Sequence, residues 1–223
     1  MEDHNDLGSN VNQSQQYVGN VPRWSFFIAI FIIGGLLSVL SERITIGPSW
    51  LIPVITLVLL IPMLISIKKS HQKMTRVIAL IITGMVTIGL ISSVGFLVYG
   101  LFTHTNESAM NLLMDAAILW VTNVSVFGAW YWEIDQGGPY LRHVSKTQPI
   151  DFLYPQMMFE SDLWANWKPT LLDYLFLAFN TSAALGPTDT LVLSRRAKLL
   201  MNTQSSISLI IVAVLAAHAI GAL

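Results

Sequence analysis

The chain has 223 residues, no cysteine and few charges: 12 Lys and Arg with 13 Asp and Glu, or 11% of the total. Without cysteine there is no disulfide, no thiolate nucleophile and no Cys-ligated zinc, and the redox compartment leaves no mark. His4, His71, His104 and His143 show no i,i+4 pairing and no HExxH, which removes the helical zinc-protease motif. GxSxG and P-loop signatures are missing too. The acids Glu133, Asp135 and Asp151 could support acid–base chemistry, but nothing in their spacing fixes a distance. No catalytic residue, cofactor or metal site is therefore expected, and the chain reads as a non-enzyme. A net charge of −1 gives no reason to expect nucleic acid.

What fills the chain instead is apolar: 53% hydrophobic residues and a mean hydropathy of +0.59. Soluble domains carry about 25% charged residues, so the composition predicts an integral membrane protein. Charge-free runs about 20 residues long predict spans at Trp24–Leu40, Trp50–Ile67, Val77–Phe102, Leu112–Trp132 and Leu199–Leu223. The expected fold class is all-α, a polytopic membrane bundle of five spanning helices. Pro53 and Pro62 should kink the second span. In the third, small residues at Thr83/Thr87 and Gly89/Ser93 suit close helix packing.

Residues 1–20 are rich in Asn, Gln, Ser and Gly, with Glu2, Asp3 and Asp6, and are expected to form a disordered polar tail. An acidic start is unlike a signal peptide, so the first span is read as retained. Residues 21–132 form the expected four-helix part. Residues 133–168 read as a cytoplasmic interfacial connector, opening on the aromatic Trp130-Tyr131-Trp132 belt and a Gly137-Gly138-Pro139 turn. Its 151–167 segment alternates Phe, Leu, Met and Trp with acids, which suits a chain lying in the headgroup plane.

Residues 169–223 are expected to hold a hairpin and the final span. Thr170 with Asp173 three residues on signals a helix start, and the helix is expected to run to about Asn180. Some eleven residues reach only half way across a bilayer core, so the piece is expected to dip in and return. On that topology Arg23, Lys68, Lys69, Lys73, Arg76, Arg142, Lys146, Lys168, Arg195, Arg196 and Lys198 share one face and only Arg43, of the 12 basic residues, lies opposite. The positive-inside rule then places that face and the N-terminus in the cytoplasm, and a bacterial plasma membrane is the expected location.

The stretch Thr181-Ser182-Ala183-Ala184-Leu185-Gly186, with Asp189 after it, offers carbonyls and hydroxyls for a dehydrated cation. It resembles the pore loop and inner helix of tetrameric cation channels. That resemblance implies that Thr181 and Ser182 supply filter hydroxyls, that Gly186 takes the second filter glycine's place, and that four copies surround the path. Ala184 stands where such a filter has its first glycine, Leu185 replaces the aromatic residue and Pro187 the acidic one. More broadly the chain resembles uncharacterised bacterial multi-span proteins, which implies no activity.

Secondary candidates lie in the spans. Asp115, Thr122 and Glu133 fall on one face of the fourth helix, and Gln204, Ser208, Ile211, Leu215 and His218 on one stripe of the last. The acids could concentrate cations at either mouth; His218 could sense pH. The functional expectation is a channel-like or transport protein for small monovalent cations, a homo-oligomer with the bilayer as its other partner. The alternative is a non-catalytic membrane scaffold or partner-binding subunit.

Overall fold

The computed structural model describes residues 24–39, 44–45, 47–48, 50–69, 71–103, 109–144, 148–159, 162–165 and 167–221. The expected tail at 1–20 lies outside them. Among the described residues, seven α-helices and one two-stranded sheet form in order: α1 (Trp24–Val39), α2 (Leu51–Lys68), α3 (Gln72–Phe102), α4 (Ala109–Ile134), α5 (Pro139–Val144), β1 (Phe152–Leu153), α6 (Leu171–Ala184), β2 (Leu191–Val192) and α7 (Arg195–Gly221).

Three of these helices are long and apolar enough to cross a membrane, over Gln72–Gly100, Met110–Gly137 and Arg195–His218, where five spans were expected. The difference lies in α1 and α2, which are apolar but only 16 and 18 residues long, at the lower limit for a span of about 17–25. Helix α3 starts five residues before the expected Val77, because Gln72 to Arg76 contain no helix breaker.

Helix α4 is central and packs against α1, α3, α6 and α7. Trp130 Nε1 donates to Thr87 Oγ1 at 2.8 Å and fixes α3 on α4. The hydroxyls of Thr83, Thr87 and Ser92 bond to carbonyls four residues back, so these residues are satisfied within α3. On the other side of α4, Gly128 lets α6 approach closely. A Cβ there would lie 2.7 Å from Leu175 Cδ2 and 3.3 Å from its Cα.

Beyond Ile134 the chain turns sharply through Gln136, Gly137 and Gly138, at φ of 51°, 78° and 97°. Two of the three are glycine, the residue for which that backbone is cheap. The connector then packs partly back onto the bundle. Strand β1 pairs antiparallel with β2, Phe152 opposite Val192 and Leu153 opposite Leu191, and this ties the connector to the segment before α7. Phe152 and Tyr154 are buried in the aromatic core with Tyr131, Tyr174 and Trp167. Met158, Phe159, Leu163 and Trp164 stay exposed.

Candidate functional site

Helices α6 and α7 both begin beside the Ile134 end of α4. At the start of α6, Tyr174 donates its hydroxyl to Asp135 Oδ2. At the start of α7, Arg196 Nη2 donates to Ile134 O at 3.1 Å. Both helices then run back along α4 and meet it again at Asn123. Asn123 Nδ2 donates to Ser208 Oγ at 2.9 Å, to Gln204 O at 3.2 Å and to Ser182 Oγ at 3.5 Å. Twelve helical residues separate Asn123 from Asp135, a depth of about 18 Å.

Around Asn123 a polar centre sits inside an apolar bundle. Gln204 Nε2 donates to Ala178 O and to Ser182 Oγ, each at 2.7 Å, while its Oε1 accepts from the Tyr131 hydroxyl. Ser205 Oγ donates to Thr181 O at 3.3 Å. Asn123, Thr181, Ser182, Gln204 and Ser208 are all buried, and Asn123 Oδ1 has no hydrogen-bond partner. A polar group in such a place is costly unless partnered.

The second polar cluster closes the Ile134 end. Asp135 Oδ1 accepts from the Asp151 and Phe152 amides at 2.9 and 3.3 Å. Asp151 holds Arg196 through two bonds, to Nε at 2.7 Å and to Nη2 at 2.5 Å. Arg142 donates to the Trp132 and Asp135 carbonyls, and its guanidinium lies 4.7 Å from the Trp132 ring centroid and 5.1 Å from that of Tyr174. These contacts pin α4, the connector, α6 and α7 at one level. Nearby, burial lowers the His143 imidazole below its ordinary pKa, and the Lys168 and Arg142 charges add to this against the Pro139 carbonyl. That carbonyl accepts from His143 Nδ1 at 2.7 Å.

The candidate filter residues take a different backbone from the expected one. Helix α6 continues to Ala184, past the expected end at Asn180. Thr181 and Ser182 therefore lie in its last turn, and Thr181 Oγ1 donates to Leu177 O at 2.7 Å. Nothing in LAFNTSAA breaks a helix, since Ala, Leu and Phe extend it and the hydroxyls can bond backwards. Positive φ falls on Leu185, at 57°, one residue after Ala184. Ala183, Ala184, Leu185 and Asp189 are exposed, and Gly186 is half-buried.

Of the secondary candidates, Thr122 is buried and donates to Ile118 O at 2.7 Å. Glu133 is buried, while Asp115 and His218 are half-buried. Asn123 is the residue that sequence reasoning missed. An amide at the midpoint of an apolar 26-residue helix was the available signal. No family model, curated protein or solved structure matches this chain.

Proposed function

We propose that this chain is a five-span membrane protein of channel-like or transport type for small monovalent cations. In this reading α1 and α2 also span, and α6 is a re-entrant half-helix. The observation that carries it is the convergence of Ser182, Gln204 and Ser208 on Asn123, about 18 Å below the shared starting level of α6 and α7. A helix that enters and stops at mid-depth beside a polar cluster is the usual construction of an intramembrane ion site. Irregular backbone such as 185–190 is tolerated at depth only where protein or water covers it.

Basic residues support the orientation. Lys73 and Arg76 at the start of α3, Arg142 on α5, and Arg195 and Arg196 on α7 gather at the Ile134 end of α4, which the positive-inside rule makes cytoplasmic. One half-helix cannot surround an ion, so the site is completed by further copies around a cyclic axis, four by the channel resemblance. The exposed Ala183, Ala184 and Leu185 then face that axis. Because the Thr181 hydroxyl donates to Leu177 O and Ser182 Oγ accepts from Asn123 and Gln204, cations pass hydrated, with Asp189 and the carbonyls that end α6 contacting them through water.

Purified protein in liposomes should pass sodium and potassium at similar rates, and Asn123→Leu or Asp189→Asn should lower both. Flux equal to that of empty liposomes would favour the scaffold reading. That reading has its own support, since most donors in the polar centre already have protein acceptors, as in helix–helix glue.

A further inference from the structure

A cavity of about 230 Å³ lies between the start of α3 and the turn after α4. Gln72, Lys73 and Arg76 form one wall; Gly137, Gly138, Pro139, Tyr140 and Leu141 form the other. We propose that this cavity binds a phosphate-bearing anion, supplied by the headgroup of an anionic phospholipid in the cytoplasmic leaflet. The inference rests on the membrane placement proposed above and is independent of cation flux.

Charge comes first. Two cations line the cavity and no carboxylate does; neither Asp135, two residues before Gly137, nor Glu133 is among its lining residues. Arg76 Nε is buried without a hydrogen-bond partner, so a donor on a permanently charged group is left waiting for an acceptor. The positive end of the α3 dipole points the same way. The helix has 31 residues, and His71 at its N-cap makes no side-chain capping bond.

The glycine turn holds the arginine in place. Gly138 sits at φ 97°, and a Cβ there would lie 3.3 Å from Arg76 Nε and 3.1 Å from Glu133 O. Only glycine allows both that backbone and the close approach.

Size and level then select the ligand. The volume is below the roughly 300–1,000 Å³ of sites for drug-sized molecules, which suits a single phosphate with a short polar ester rather than a nucleotide. Arg76 immediately precedes the apolar run from Val77, so the cavity opens where headgroups lie, and Pro139 and Leu141 offer an apolar flank to a glycerol backbone. Basic pockets between membrane helices at the cytoplasmic side recognise such headgroups.

The test uses the full chain in detergent. Native mass spectrometry would count adducts of phosphatidylglycerol and of phosphatidylcholine, with inorganic phosphate as a separate competitor. Wild type should retain one phosphatidylglycerol in preference to phosphatidylcholine. Lys73→Gln and Arg76→Gln should each weaken retention about fivefold, while Lys198→Gln, outside this cavity, should not. Lys73 is exposed, so its variant remains informative if Arg76→Gln fails to fold.

Displacement of the lipid by inorganic phosphate would confirm the shared phosphate chemistry. Binding of phosphate without any lipid preference would reassign the source to a soluble anion and overturn the lipid part. Equal retention of both lipids, with no phosphate effect and no change in either variant, would overturn the proposal entirely. Recovery of the chain from membranes by a carbonate wash would instead remove the membrane placement.

Discussion

At the scale of single residues, Gln204 ties two helices together through its side chain. It bridges Ala178 and Ser182 on α6 and takes the Tyr131 hydroxyl of α4. Gln204→Leu should lower the unfolding free energy in detergent by about 1–2 kcal/mol, because several partners lose their bond at once. Asn202→Leu, on the exposed side of α7, should leave the unfolding midpoint nearly unchanged. His143 gives a pH prediction. Its pKa is lowered by burial, so the unfolded chain takes up this proton first as pH falls, and stability is lost below the ordinary value of about 6.5. The unfolding midpoint should therefore drop on acidification, and His143→Gln should reduce the drop. A variant as acid-sensitive as the wild type would remove His143 from the account.

These residues also mark what was legible. The polar stripe on the last helix was readable because Gln204, Ser208 and Ile211 follow helical spacing, and this stripe does face the polar centre. Asp135 and Asp151 were visible as acids, but their roles depend on a strand pairing between residues 40 positions apart, which no local pattern reports. Thr181 and Ser182 were singled out for a filter backbone, whereas both lie in the last turn of α6, where Thr181 bonds back to Leu177 O and Ser182 accepts from Asn123 and Gln204.

At the scale of elements, the hairpin depends on how α6 starts, packs and stops. Its start was readable: the Thr170 amide donates to Asp173 Oδ2 at 2.7 Å, as the Thr-x-x-Asp spacing predicts. Its packing depends on Gly128, and Gly128→Ala should destabilise the protein by about 1–3 kcal/mol because Leu175 must move. An unchanged midpoint would show that α6 shifts freely on α4. The stop is a left-handed leucine, so Leu185→Gly should stabilise the turn by about 1 kcal/mol. The spans were legible from apolar runs, yet helix ends were not. Charged residues such as Lys73, Arg76 and Arg196 continue a helix as readily as they end it, and α3 and α7 both start earlier than the apolar pattern suggested.

At the scale of the whole molecule, everything rests on residues 170–190 entering and leaving the membrane by one face. If they do, Thr170 and Arg195 flank a re-entrant half-helix, and the basic ends of α3, α5 and α7 share the cytoplasm. If they do not, the polar centre at Asn123 becomes packing between complete spans. The absence of cysteine makes the decisive experiment direct: single cysteines introduced at Lys168, Arg195 and Thr103, labelled from either side of sealed vesicles with an impermeant maleimide. The account predicts that positions 168 and 195 label from the cytoplasmic side only and position 103 from the opposite side only. Labelling of 168 and 195 from opposite sides would contradict it.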